Sequence, residues 1–540
     1  MCSDLPLFTN VTGSLIIHED DDLLVVNKPA NWNTHAPTPY SGEGIYEWLR
    51  QREPRWAQLA IIHRLDKETS GVMVFTKTKA AAKSLTEQFT EREVQKRYVL
   101  LTDRAVKAEK LHARSHMSKV GSEFVSRPVT NAGELAETFF YRGESKSGRT
   151  QVSAEPKTGR THQIRLHAQD LGFPILGDVR YGGSPHARLC LHAAEIEFEH
   201  PTTGKLVKYS APVDFERDAS SALREAVVDK ALTDSFRVVH GAADGRPGWY
   251  VEKLGDYLIS QSSGDLSGEQ RARLEELVKM FASKAAYHKV LNRHVRQSSV
   301  ETAGPQLVFG EAVNEEFGIR ENGVRYQMSF QEGYSVGLFL DQRDNRRRLL
   351  TNYIGPDFVV RDGGLQGAEV LNTFAYTCGF SVAAGMAGAR ATSLDLSKKY
   401  LDWGRRNFTA NGMDPAAHDF IFGDVFDWLK RLGKKQRQFD VVILDPPTFS
   451  QSKQSGVFRV ERDYGRLVGD ALKVLKSGGT LLASTNAAGL EPEVFIATVK
   501  AAITAAGRKV ERERFIPQPP DFPVTREEPG YLKTFWVRVK

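Results

Sequence analysis

At 540 residues, with 41% apolar and 26% charged side chains, the chain is too long for one hydrophobic core and too apolar to be disordered; size predicts about three domains. Its formal net charge of +6 is mild for this length, compatible with a polyanionic partner but not diagnostic of one. No apolar run reaches the roughly eighteen residues of a membrane helix, the start MCSDLPLFTN has no export or organelle pattern, and Cys2, Cys190 and Cys378 lack zinc or disulfide spacing, which predicts a cytoplasmic chain with no metal site and no membrane association.

Before residue 214 the sequence reads mostly as short strands: LIIHEDDDLLVVNKP, GVMVFTK, KRYVLLT and AAEIEFEH are apolar runs bounded by turns. A charged, locally helical stretch at 214–235 reads as a connector. Residues 236–330 mix strands (YVEKLGDYLISQ) with one amphipathic helix near 267–283, the pattern of a small α+β unit. A Pro/Gly-punctuated stretch around 352–368 follows, and from 368 onward strand-like and helical segments alternate, the signature of a doubly wound α/β sheet. The predicted organisation is an α/β multidomain chain: a mainly antiparallel α+β domain at 1–215, a linker at 216–235, a small α+β domain at 236–330 and a Rossmann-like doubly wound domain at 331–540.

The densest cluster in the front part is HRLDKETSG, His63 to Gly71, between the apolar run LAII and the strand VMVF. Alone, an RLD triplet is most often a strand-end salt bridge, and Tyr98 in QKRYVLL is by default an amphipathic core residue. Three further stretches agree in order: DDDLLVVNKPA (20–30), QKRYVLL (95–101) and GRTHQIRLHAQDLGFPILGD (159–178). Together they resemble the RluA-type pseudouridine synthases over residues 14–213, and the resemblance implies that Asp66 is the catalytic aspartate with Arg165 as its partner. Asn31 stands where that family usually has glycine. Only about a dozen residues precede the first strand, so no S4-like RNA-binding module is expected ahead of it.

These residue types suit that chemistry. Turning uridine into pseudouridine breaks the bond from the sugar to the base nitrogen, rotates the base and forms a bond to its C5 carbon. The reaction asks for a carboxylate acting as nucleophile or base, and for no cofactor, redox equivalent or metal. A carboxylate kept ionised in a dehydrated pocket needs a nearby cation, for which Arg165 is the best candidate. Tyr98 offers an aromatic face for a flipped base, and Arg64 and Arg160 are candidates to hold its phosphates. His162 and His167 read as structural, since no metal-ligand or Ser/His/Asp arrangement surrounds them.

In the back part, EVLNTFAYTCGFSVAAGMAGARATSLD (369–395) reads as a strand, a small-residue turn, a helix and a second strand ending in an acid. In doubly wound sheets the first turn and that acid face the cofactor. The turn offers only Gly379 where a dinucleotide fold would want G-x-G-x-x-G for a pyrophosphate. S-adenosylmethionine (SAM) has no phosphate and needs no such cradle. Asn372, Phe374, Tyr376 and Gly379 in the turn, Asp395 for the ribose hydroxyls and Asp424 for the adenine amine are the candidate SAM-binding residues. Asp445, Pro446 and Pro447 follow the strand FDVVIL; the two prolines fix an extended backbone that can hold a base edge, and Asp445 also borders the cofactor. Arg343 and Arg346 to Arg348 read as a solvated helix face.

With SVGLFLDQRDNRR (335–347), NTFAYTCGFS (372–381), DPPTFSQSK (445–453), DFPV (521–524) and YLK (531–533), this part resembles the large-subunit ribosomal-RNA methyltransferases of the RlmI/RlmK kind over about 236–540. The expected protein is therefore a bifunctional RNA-modifying enzyme using SAM in one half, acting on ribosomal RNA, or on transfer RNA in the synthase half, with no stable protein partner. The alternatives are a chain with one half serving only as an RNA-binding adaptor, and a small-molecule methyltransferase joined to an unrelated domain. Methylation is expected at a guanine nitrogen. Methylating C5 of a pyrimidine calls for a cysteine thiolate beside the base, and neither DPPTFS nor STNAAG supplies one, while Cys378 is expected to pack beside SAM; a 5-methylcytosine product is the alternative.

Overall fold

A computed structural model describes residues 15–42, 44–129, 134–291, 304–332, 336–452 and 456–540. Cys2, Ser335 and Lys453, named in the motifs and cysteine count above, lie outside the described residues. The chain divides into two compact units, residues 1–37, 43–50 and 55–229, and residues 38–42, 51–54 and 230–540. Among the described residues no helix is long and apolar enough to cross a membrane.

The first unit is built on an eleven-stranded sheet whose main path runs Ile16–Glu19, Leu23–Lys28, Ser70–Thr76, Leu191–Glu199, Gln95–Thr102, Arg149–Pro156, Glu134–Lys146, Lys110–Val120 and Glu123–Arg127. All pairs are antiparallel except Ser70–Thr76 with Leu191–Glu199. At that junction Gly71 lies opposite Ala193 with φ of 120°, and a Cβ there would stand 2.2 Å from the Ala193 carbonyl oxygen, so only glycine lets the two strands close. The stretch read as a linker contains the helix Ala219–Val227, which Asp218 caps by accepting from the Ser221 amide, and this helix belongs to the first unit.

In the second unit, five strands from Ser235–His240 to Gln306–Gly310 lie in sequential order. The parallel pair Tyr257–Ser262 and Ala285–Val290 is bridged by the helix Gly268–Met280, started by a Ser267/Gln270 capping box. A seven-stranded sheet follows in the order Asp419–Phe422, Arg390–Asp395, Glu369–Thr373, Phe439–Leu444, Leu475–Thr485, Lys533–Val539, Val510–Pro517, with only Lys533–Val539 reversed against its neighbours. Its strands are apolar on both faces: along Phe439–Leu444, Val442 and Leu444 pack with Val425, Leu467 and Phe495, while Val441 and Ile443 pack with Phe380, Ala383 and Trp536. Helices covering both faces make this the doubly wound domain the alternation predicts.

One expectation fails. Arg343, Arg346, Arg347 and Arg348 are 2%, 2%, 3% and 4% exposed, not a solvated face. The Arg343 guanidinium donates twice to Asp521 at 2.8 and 2.7 Å, and Arg346 donates twice to Glu321 at 2.6 and 2.7 Å. Such forked pairs are what lets a guanidinium leave water. Arg343→Met should leave the buried Asp521 without its cation and lower stability by about 3–5 kcal/mol in urea unfolding; a loss below about 1 kcal/mol, the scale of a surface pair, would contradict this.

Candidate active sites

In the first unit, Asp66 lies on the loop between Ala60–Ile61 and Ser70–Thr76, Tyr98 on the strand Gln95–Thr102, and Arg165 on the helix Gln163–Asp170. Together with Arg64 and Arg160 they line one cavity of about 90 Å³, so all five residues singled out in this half meet. Arg165 is held from behind: its Nε and Nη2 donate to the two oxygens of buried Asp178 at 2.7 and 2.8 Å, which leaves Nη1 3.9 Å from Asp66 and 3.6 Å from Glu68. Arg165 is thus the cation beside Asp66, as expected, but its fork is committed to Asp178 and only its Nη1 edge faces Asp66. Burial accordingly pushes the Asp66 carboxyl above its ordinary range, against the opposing pull of His162 and Arg165.

His167 is structural, buried between Ser115 and Thr138 at 2.9 Å each. His162, also read as structural, instead sits with Nε2 4.0 Å from Asp66 and Nδ1 2.7 Å from the Tyr181 hydroxyl. Sequence reasoning missed Lys28 of the NKPA motif. Its buried ammonium donates to the carbonyls of Pro29, Trp32 and Lys67 at 3.0, 2.7 and 3.2 Å, tying down the residue after Asp66, and burial lowers its pKa to about 7. Asn31 has φ of 63°, the left-handed backbone that glycine favours and asparagine tolerates, so the loop keeps its shape despite the departure from the family pattern.

In the second unit, the site lies at the carboxyl ends of the central strands, where the strand order reverses between Glu369–Thr373 and Phe439–Leu444. The turn after Glu369–Thr373 places three non-glycine residues at positive φ, Phe374 at 54°, Tyr376 at 50° and Cys378 at 64°. Such backbone persists only where surrounding bonds hold it. Asp395 is one of them, accepting from the amides of Tyr376 and Ser397 at 2.8 Å each, while burial raises its pKa. Asn372 is 1% exposed and donates to Ser381 at 2.9 Å, so it braces the turn from within. Gly379 leaves room for Leu338, whose Cδ1 would be 2.8 Å from a Cβ there. Asp424 caps the helix Val425–Lys434 by accepting from the Asp427 amide at 3.1 Å.

Asp445 accepts from Gln342 at 3.1 Å, and Gln342 also donates to Ser484 at 2.8 Å; burial, with Asp341 adding like charge, pushes the Asp445 pKa up to about 6. Pro446 is buried and Pro447 exposed. Gln342 and Asp341, both inside GLFLDQR, escaped sequence reasoning, because they meet Asp445 from more than 100 positions away only in the fold. Cys378 is fully buried against Gly404, where a Cβ would come within 2.3 Å of its sulfur, and burial raises its thiol to about 12.

The profile of the S-adenosylmethionine-dependent methyltransferase family matches residues 261–537, and that of RNA pseudouridylate synthases matches residues 22–170. Over 334 residues the chain is 30% identical to a ribosomal RNA large subunit methyltransferase of Deinococcus radiodurans, covering 60% of this chain and 78% of that one. It is 33% identical to ribosomal RNA large subunit methyltransferase I of Klebsiella pneumoniae, covering 60% and 79%. A solved structure described as a methyltransferase complexed with SAH shares 29% identity at a TM-score of 0.51, over 59% of this chain and 79% of that one.

Two outcomes follow from the electrostatics. A catalytic role for the ionised Asp66, whose pKa burial raises, predicts that turnover in pseudouridine formation is full at high pH and falls as pH drops through a value above that of an exposed aspartate; a profile flat down to about pH 4 would contradict it. Asp395→Ala should weaken SAM binding by about 1.5–3 kcal/mol in calorimetry, the scale of hydrogen bonds to a charged group; unchanged affinity would leave the carboxylate with only its role in bracing the turn.

Proposed function

The chain belongs to the S-adenosylmethionine-dependent methyltransferase family and carries an RNA pseudouridylate synthase domain in its front part, and from that premise we propose that it makes two modifications in large-subunit ribosomal RNA. The convergence of Asp66, Tyr98 and Arg165 on one cavity carries the synthase half of this reading. Ribosomal RNA as the target is supported by the names of the relatives in Deinococcus radiodurans and Klebsiella pneumoniae, and a cytoplasmic location goes with that substrate.

In the synthase site, a uridine flipped from its stack lies against the Tyr98 ring. Ionised Asp66 acts on the sugar or the base, and the free edge of Arg165, 3.9 Å away, favours the charged form that burial opposes. This half uses no cofactor.

The second site suits SAM by the chemistry of its edges. Leu396 and Phe422, 40% and 53% exposed, stand beside Asp395 and Asp424 and offer apolar surface for an adenine ring, while Asp395 keeps acceptor capacity for ribose hydroxyls. SAM, when bound, supplies the electrophilic methyl group. Asp445, Pro446 and Pro447 hold the target base beside it, and Gln342 orients the Asp445 carboxyl. A guanine nitrogen is the favoured acceptor, since it has its own lone pair or amine and asks only for positioning. The buried, protonated Cys378 supports this over a thiolate adduct at C5.

With unmodified large-subunit RNA as substrate, Asp66→Asn should abolish pseudouridine formation while leaving methylation, and Asp445→Asn should do the reverse. The triple Cys2→Ser, Cys190→Ser, Cys378→Ser chain should still methylate. A 5-methylcytosine product, or a folded, SAM-binding triple variant without activity, would sink the guanine reading.

A further inference from the structure

The cations around the synthase cavity are not equivalent. Arg165 is committed to Asp178, and His162 is tied to Tyr181. Arg160, expected to hold a phosphate, is engaged by the exposed Glu134 at 2.9 Å and donates to the Leu135 carbonyl at 3.4 Å. Lys96 is different. It lines the cavity two residues before Tyr98 on the same face of the strand Gln95–Thr102, half-buried, and among the described residues no acid lies within ion-pair distance of it. Its ammonium sits 5.9 Å over the Phe89 ring, and a Cβ on Gly159 would stand 3.9 Å from Nζ, so the charge looks onto the Gly159 turn.

Holding an ammonium partly out of water with no counter-charge is unfavourable, and burial together with Lys157 lowers the Lys96 pKa. The charges that act most on Asp66 are His162, Arg165, Glu68 and Lys28, so Lys96 is not placed to tune the carboxylate. What remains is the substrate. Uracil is neutral, and the only anion a nucleotide brings to this pocket is phosphate. Arg64, exposed at the same cavity and likewise without an acid within ion-pair distance among the described residues, is the second cation free for that anion.

Resting on the synthase reading above, we infer that Lys96, together with Arg64, grips a phosphate of the flipped nucleotide. The Phe89 face and the Gly159 turn hold the ammonium at the cavity without neutralising it, so its charge is available when RNA arrives.

The test is pseudouridine formation by the full chain on an unmodified large-subunit RNA transcript, with kcat/KM measured across a range of salt. Lys96→Met and Lys96→Gln should raise KM, leave turnover at saturating RNA and its pH profile unchanged, and reduce the slope of log kcat/KM against log salt by about 0.7–0.9, one phosphate contact. Lys96→Arg should keep the wild-type slope. An unchanged slope in the neutral variants, or a shifted pH profile for turnover, overturns the inference. A wild-type chain that forms no pseudouridine in the transcript or in total cellular RNA overturns the synthase reading itself.

Discussion

A carboxylate removed from water must find a cation, find several donors, or take up a proton, and this constraint sorts the acids of the chain by what they do. Asp521 and Glu321 are 0% and 1% exposed and each receives two guanidinium bonds. Asp178 is treated the same way by Arg165. These acids are fully committed and hold elements together. Asp66 and Asp445 are handled otherwise: the first meets only the edge of an arginine and an imidazole, 3.9 and 4.0 Å away, the second an amide and a hydroxyl, and both carboxyls sit above their ordinary pKa. An acid left short of partners in a pocket retains capacity for a ligand.

The same economy explains how each unit supports its chemistry. In the first, Asp178 fixes Arg165, Lys28 ties the loop carrying Asp66 to its own segment by donating to the Lys67 carbonyl and to those of Pro29 and Trp32, and Gly71 permits the strand contact at which that loop ends. In the second, a sheet buried on both faces ends in a turn with three residues at positive φ, and Asp395 spends one oxygen on that turn and the other on the start of the next helix. In the first unit the supporting Lys28 and Asp178, 0% and 2% exposed, are more deeply buried than Asp66, as preorganised sites require.

Much of this was legible in the sequence. The alternation after residue 368 specified the doubly wound sheet because strands buried on both faces and helices of the right length leave a periodic trace. That Asp66, Tyr98 and Arg165 meet at one cavity was legible because four motifs kept their order. The arginines of Arg343–Thr351 were misread for a physical reason: helical spacing alone cannot tell a solvated charge from one neutralised by a residue 178 positions away. Lys28 escaped, and the placement of His162 beside Asp66 was not foreseen, for a similar reason, since both depend on segments that pack together only in the fold. Asn31 shows the opposite case, a sequence departure that backbone geometry absorbs.

The central claim is that one chain carries two working RNA-modifying sites. The most direct measurement is mass-spectrometric mapping of pseudouridine and methylated bases in RNA from cells with and without the gene. The account predicts that deletion removes one pseudouridine and one methylated base, both in large-subunit ribosomal RNA and the latter a guanine. Loss of only one kind of modification, or of neither, would contradict it.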